Sequence, residues 1–329
     1  MRKVNNLISD SIVRIEDMTI GDNDCYINTG FCKFDELTSG LQKGDLITIG
    51  SRPSIGKTSM ALNLAKNISV HSDKPVLFFS LEAKINNIIL KLISAETGLS
   101  LSKLRNGVLE NYEWEILNTK TESLKKAPFY IDDSGEISIE LIESRIENAV
   151  KNDNVKVVIV DYLQLITISG KNSMASNREQ YVSIIVRKLK ALAKNYDIPI
   201  VLFSQLSRTL ETRGGSKRPI LCDLRESGAI EDDSDLVCFL YRPEYYKIDE
   251  WDDDEHSPTQ GQAELIVAKN RNGRLENIRL KFTESKGKFE DLEDFSNPFE
   301  FKSNMSKNEA LNDSMEGSVS SEGDNDVPF

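Results

Sequence analysis

Eight short segments of the chain are apolar throughout or alternate apolar with polar: Leu46–Gly50, Val76–Ser80, Phe129–Ile131, Val155–Asp161, Ile200–Ser204, Leu236–Tyr241, Glu264–Ala268 and Ile278–Phe282. Continuous apolar runs of this length, bounded by glycine, proline or a polar residue, read as buried strands. Helical spacing of apolar residues occupies about 60–70, 84–97, 111–126, 138–152 and 178–196. Strands alternating with helices predict an α/β fold with a mainly parallel sheet and helices on both faces. The last strands follow one another closely, so antiparallel pairing is expected at one edge. Residues Val4–Met18 precede this body as an amphipathic run, with Val4, Ile8, Ile12 and Ile15 on one helical face and Leu7 beside them. An isolated helix this short is marginal in water, so it is expected to pack on its own domain or on another subunit. Asp22-Asn23-Asp24 reads as a linker. Gly170–Asn177 and Thr212–Lys217 are polar loops, candidates for mobile functional segments. Beyond Leu292 periodicity is lost and Ser, Asn, Glu and Asp dominate, as in a disordered tail. The expected domains are thus a helix and linker (1–24), an α/β body (25–292) and an acidic tail (293–329).

Charge changes this picture only once it is located. The 329 residues carry a net charge of −12, with 39% hydrophobic residues, enough for a sizeable core. From Glu284 onward the net is −8, and Asp249–Glu255 holds six more acids, which leaves the rest of the chain two charges positive. The acid sits on a tail and a loop, so a basic nucleic-acid channel in the body is not excluded. Cys25, Cys32, Cys222 and Cys238 form no CxxC pair, and His71 and His256 are the only histidines, which argues against a zinc site or a disulfide framework. No apolar run reaches the ~18 residues of a membrane span, and no signal peptide opens the chain. A cytoplasmic, non-membrane protein is expected.

The strongest chemical signal is Asp45–Ala61, DLITIGSRPSIGKTSMA. A strand, a loop with Gly50, Pro53 and Gly56, then Lys57-Thr58-Ser59 opening a helix is the layout of a phosphate-binding P-loop. Ser54, Gly56, Lys57, Thr58 and Ser59 would surround the phosphates through backbone N–H groups and the helix N-terminus. Lys57 would reach the β/γ-phosphates and the Thr58 hydroxyl would ligate Mg²⁺. One departure is visible: the strict pattern asks for glycine at position 51, where this chain has Ser51.

Three other strands end on a polar group. Val155–Asp161 ends on a carboxylate suited to the Mg²⁺ shell, or to capping the next turn. Val76–Leu81 is followed by Glu82, a candidate general base or a solvated surface acid. Ile200–Ser204 is followed by Gln205, which could contact a γ-phosphate or cap a turn. Asp223–Ile230, with Arg225, Glu226 and Gly228, could grip a nucleic-acid backbone or form a salt-bridged turn. Lys269 and Arg271, two residues apart before Asn272-Gly273, share one side of a predicted Asn-Gly hairpin. They are either exposed cations or a pair completing a neighbour's ATP site.

In this order, these segments resemble the C-terminal motor domain of DnaB-type replicative DNA helicases, over about residues 27–290. The likeness begins with TGFCKFDELTSGLQKGDL and runs through SRPSIGKTS, FFSLE, VVIVDYLQL, NREQ, FSQLSR, RPILCDLRESGAIEDDSDLVCFLYR and AKNRNG. The resemblance implies a RecA-like P-loop NTPase using ATP and Mg²⁺, with Lys57 and Thr58 as nucleotide and metal ligands, Glu82 as catalytic base and Asp161 as the metal-orienting acid. It implies Gln205 as the γ-phosphate sensor, Arg242 beside the nucleotide, and Lys269 and Arg271 offered to the adjacent subunit. Arg225, Glu226 and Gly228 would follow single-stranded DNA. The whole would be a homo-hexameric ring moving 5′ to 3′ at a replication fork.

Two features depart from the family. Its usual N-terminal helical domain, which helps the ring assemble and binds primase, is not in this sequence. The chain opens instead at what looks like the linker helix, as in a phage- or plasmid-type short form or one whose collar is a separate protein. The last residues, Gly323–Phe329 (GDNDVPF), resemble the acidic tip of single-stranded-DNA-binding proteins. Pro328-Phe329 would then recruit proteins that read such tips, or the tail is simply solubilising. The alternative to a helicase is a RecA-type, DNA-stimulated ATPase acting as a replication or repair accessory without processive unwinding.

Overall fold

The computed structural model describes residues 26–169, 178–224 and 228–292, together with Val4, Ile8, Ser9, 11–13, Ile15 and Glu16. Nine strands form one sheet: β1 (Leu46–Ser51), β2 (Val76–Ser80), β3 (Phe129–Asp132), β4 (Val157–Asp161), β5 (Ile200–Gln205), β6 (Leu236–Tyr241), β7 (Gln262–Asn270), β8 (Asn277–Thr283) and β9 (Lys288–Asp291). Their spatial order is β9-β8-β7-β6-β1-β5-β4-β2-β3. The six strands from β6 to β3 are parallel, and β6 through β9 pair antiparallel at the other edge. The expected mixed sheet is therefore present. The principal helices are α1 (Lys57–Lys66), α2 (Ile85–Thr97), α3 (Asn111–Lys126), α4 (Ile139–Asp153) and α5 (Arg178–Tyr196). A π-helical turn, Asn67–His71, extends α1, so the helical spacing at 60–70 belongs to two elements.

The apolar runs work because both faces of the sheet are covered. Val76, Phe78, Val157, Ile159, Val201 and Phe203 join Met60, Leu64 and Ile88 in one core layer. Their alternates Leu77, Phe79, Val158, Val160, Ile200 and Leu202 join Ile142, Ile146, Ile185 and Leu189 in the other. Successive strand residues point to opposite faces, and here both faces are dry. Each such side chain contributes about 1.5–3 kcal/mol on full burial, whereas an exposed pair such as Lys125–Glu122 is screened by solvent and adds little. The two apolar layers hold the sheet, not its surface charges.

The Asn-Gly hairpin is wider than expected. β7 and β8 are joined by the six residues Arg271–Glu276, and Gly273 does not take a left-handed conformation. The loop at Thr212–Lys217 is tied down by its own cations. Arg213 pairs with Asp223 at 2.9 Å and donates to the Arg218 carbonyl, and Lys217 donates to the Glu211 carbonyl. The described positions of the N-terminal run are helical, and Val4, Ile8, Ile12 and Ile15 are each at least half exposed. Gly170–Asn177, Arg225, Glu226 and the tail from residue 293, with Pro328-Phe329, lie outside the described residues. Among the described residues no helix is long and apolar enough to cross a membrane.

The opposite end of the sheet carries a charge cluster with a pH signature. Asp45, before β1, faces Asp235 before β6, Lys190 of α5 and Arg271. Burial, then the Asp235 charge, pushes the Asp45 carboxyl up to about 6, while Lys190 and Arg271 pull it down. Because the folded-state value lies above the ordinary carboxylate value, the native chain holds an extra proton between about pH 4 and 6. Stability from this group is full below that window and is lost as pH rises through it. Asp45→Asn is expected to remove about 1–2 kcal/mol of the fall in unfolding free energy between about pH 4 and 6, allowing for partial exposure. Denaturant melts at pH 4, 5 and 6 check this, and identical slopes in both proteins would refute it.

Candidate nucleotide-binding site

Parallel strands aim their C-terminal ends at one edge, and there the sheet order reverses direction on either side of β1, the usual place for a ligand crevice. A cleft of about 670 Å³ opens there. Ser51, Pro53, Ser54, Gly56, Lys57, Thr58 and Ser59 line it from the β1–α1 loop. Glu82, after β2, and Gln205, ending β5, line it too.

The loop makes its sharp turns at Ser54 (φ 66°) and Gly56 (φ 115°). Ser51 instead continues β1, paired with Gln205, and is 1% exposed. That is the physical reason serine suffices where the strict motif asks for glycine: no left-handed backbone is required at 51. At Gly56 glycine is needed, because a Cβ there would also come 3.0 Å from the Phe289 ring. Gly56 caps α1 without a side-chain hydrogen bond, so the first N–H groups of the helix remain available to an anion. Buried Arg52 fixes the loop from behind, donating to the Leu206 carbonyl at 2.8 Å and to Glu211 at 2.6 and 2.9 Å.

Asp161 organises the floor. Its Oδ2 accepts from the Thr58 hydroxyl at 2.6 Å, and its Oδ1 lies 2.8 Å from Lys57 Nζ. Lys57 also sits 3.3 Å from the centre of the Tyr162 ring. Burial holds the Lys57 ammonium below the usual lysine range, partly offset by Asp161. Lys91 of α2 is depressed for the same reason, with Arg105 adding to it. Two desolvated cations and a set of free helix N–H groups favour a polyanion. Asp161 is 1% exposed, and its Oδ1 has no hydrogen bond beyond the ammonium contact. Hard oxygens of this kind, two atoms from different elements in contact, fit a magnesium ion.

Glu82 is exposed on a turn that Leu81 N–H ties to the Asp161 carbonyl at 2.9 Å and Ser80 Oγ closes onto Ala83. Arg242, 4% exposed, lies 4.3 Å from the Phe282 ring, and both line the cleft with Glu284 and Gly287.

Lys269 and Arg271 do not line it. Lys269 Nζ donates to the Glu231 and Asp232 carbonyls, and Arg271 donates to Asp232 O at 2.5 Å and pairs with Asp235 at 3.4 Å. The shared partner places both cations on one side, as their spacing predicts, at the carbonyl end of the short helix Gly228–Asp233. Gly228 starts that helix, and Arg225 and Glu226 lie outside the described residues. Sequence reasoning missed Lys91 and Tyr162. Lys91 had a signal, a lone cation inside the apolar run Ile88–Leu92, and Tyr162 lies in the quoted DYLQL.

The fold and cleft define a RecA-like α/β protein of the P-loop nucleotide-binding class. Residues 26–291 match the DnaB-like helicase C-terminal domain. The chain is 40% identical over 267 residues to the replicative DNA helicase DnaB of Geobacillus stearothermophilus, covering 81% of this chain and 57% of that protein. It is 44% identical over 266 residues to a probable replicative DNA helicase of Trieres chinensis, covering 80% and 57%. The ATPase domain of G40P superposes with a TM-score of 0.77 at 32% identity, covering 87% of this chain and 99% of that domain. The chain belongs to the DnaB-like helicase C-terminal domain family. It spans a little over half the length of the curated relatives it matches.

Proposed function

We propose that the chain is the ATP-hydrolysing motor of a DNA helicase, working as a homo-oligomeric ring on single-stranded DNA during replication. The observation that carries this reading is the junction of Lys57, Thr58 and Asp161 at the base of a cleft that Glu82 and Gln205 also line. Lys57 and the first N–H groups of α1 bind the triphosphate of ATP. Thr58 and Asp161 would hold Mg²⁺, which when bound neutralises developing charge on the β- and γ-oxygens. Glu82 accepts the proton of the attacking water, and Gln205 faces the γ-phosphate. Arg242 and Phe282 wall the rest of the nucleotide. Lys269 and Arg271, absent from their own cleft, serve the neighbour's, which makes hydrolysis depend on assembly. Arg225, Glu226 and Gly228 belong to the loop that tracks the DNA backbone, a mode that reads no sequence and weakens with salt. The likeness favours a hexamer moving 5′ to 3′.

The test is ATP turnover with and without single-stranded DNA across a protein concentration series, beside strand displacement on a forked duplex. Turnover is expected to rise cooperatively with concentration and with DNA, and displacement to require ATP. Turnover that ignores both DNA and concentration would overturn the ring motor. DNA-stimulated turnover without displacement would leave an accessory ATPase.

A further inference from the structure

The parallel ladder between β4 and β5 stops early. Paired residues run from Val158 with Ile200 to Val160 with Leu202, so Ser204 and Gln205 have no β4 backbone beside them. Gln164 takes that place. Its Oε1 accepts from Gln205 N–H at 3.1 Å, and its Nε2 donates to the Gln205 carbonyl at 3.3 Å and to Ser204 Oγ at 3.0 Å. A primary amide donates and accepts from one planar group, as a strand backbone does, so this side chain extends the ladder two residues past the point where Asp161 turns away.

The grip is two-sided. Across from Gln164, Gln205 pairs with Ser51, and Leu206 N–H donates to the Ser51 carbonyl at 3.0 Å. The backbone of Gln205 is thus held between the phosphate loop and the segment following Asp161, while Gln205 itself lines the cleft. Gln164 belongs to the turn Leu163–Leu165, which runs straight into Ile166–Thr167. That short strand pairs with Ile137–Ser138, and Ile168 and Ser169 N–H donate to Tyr181 Oη and Glu140. One amide therefore joins the end of the cleft to a hydrogen-bonded segment, 166–169.

We propose that Gln164 is a positioning residue: it sets Gln205 against the γ-phosphate and carries the state of the cleft to segment 166–169. This rests on the reading above of Gln205 as the group facing that phosphate. It adds a residue whose effect on hydrolysis runs through another side chain, and it predicts which nucleotide will feel the loss. ADP has no γ-phosphate and does not depend on Gln205. A γ-phosphate analogue does.

The experiment compares the full chain with Gln164→Ala and Gln164→Met. Methionine keeps the length and packing of the side chain and removes every hydrogen bond. The first readout is the ratio of ATPγS to ADP affinity with Mg²⁺ present, and the second is the factor by which single-stranded DNA stimulates turnover. Both variants are expected to bind ADP as wild type does and to lose about 5-fold or more of the ATPγS preference and of the stimulation. If the alanine variant fails to fold, the methionine variant decides alone. A methionine variant within about twofold of wild type on both readouts would show that Gln164 only packs, and would overturn the proposal. A wild type that does not distinguish ATPγS from ADP would overturn it too. Turnover that ignores DNA in wild type would instead count against the helicase reading, and the affinity ratio would still judge Gln164.

Discussion

Arg271→Ala is expected to lower DNA-stimulated ATP turnover by about 10³–10⁵ while leaving nucleotide affinity nearly unchanged, the range seen for an arginine finger supplied from outside its own site. The geometry separates this from a loss of binding. Arg271 does not line the cleft of its own chain, and its side chain is 47% exposed. It is aimed rather than free. The Asp232 carbonyl and Asp235 hold the guanidinium, and Lys269 is anchored to the same carbonyl end of the helix Gly228–Asp233. A cation at a helix C-terminus is stabilised there and oriented by it. Mixing two inactive variants tests action between subunits. In a mixture of Arg271→Ala and Glu82→Gln, roughly a quarter of head-to-tail interfaces pair an intact Glu82 with an intact Arg271. Turnover is expected to reappear in that mixture. If it does not, or if Arg271→Ala alone falls by less than about tenfold, the cation acts within its own chain or not at all.

What the sequence reveals of this fold follows from where burial is complete. β2 and β6 fall on their predicted bounds because Val76–Ser80 and Leu236–Tyr241 are buried at every position, and a fully buried strand shows as an unbroken apolar run. β9 is invisible for the opposite reason. Lys288–Asp291 reads Lys-Phe-Glu-Asp, only Phe289 is deeply buried, and the strand exists because β8 offers it an edge. The short helix Cys32–Thr38 begins without a side-chain cap and has no sequence signal at its start.

The same logic divides the cleft. Glu82, Asp161 and Gln205 are legible because each sits where an apolar strand run gives way to a polar residue, Lys57 and Thr58 because a glycine loop leads from β1 into a helix, and parallel pairing gathers those ends. Gln164 is not legible, since its value depends on the β4–β5 ladder ending at Leu202, three residues short of Gln205. Register between distant strands is a property of the folded sheet and leaves no mark at position 164. Lys91 is brought to the cleft by the packing of α2, which its own spacing does not specify.

Glu82→Gln is expected to abolish most turnover, by about 10²–10⁴, while ATP binding persists. The change is nearly isosteric, and Glu82 makes no hydrogen bond or ion pair among the described residues that glutamine would disrupt. Its turn is fixed by backbone and Ser80 contacts, Leu81 N–H to Asp161 O and Ser80 Oγ to Ala83 O, so the backbone that carries residue 82 does not depend on the carboxylate. On the proposed reading, what is lost is the proton acceptor alone. About 10³ in rate corresponds to about 4 kcal/mol of transition-state stabilisation, more than a surface carboxylate supplies by any structural role. The contrast with Lys57→Ala makes the assignment specific. Removing Lys57 also strips the ion pair from buried Asp161 and the cation from the phosphate site, so affinity and turnover fall together. In Glu82→Gln the two are expected to separate, and if the proposed ring motor holds, ATP-loaded protein accumulates on single-stranded DNA without displacing the complementary strand. Measuring ATP affinity beside single-turnover hydrolysis decides it. A Glu82→Gln protein hydrolysing within about tenfold of wild type would place the base elsewhere in the cleft.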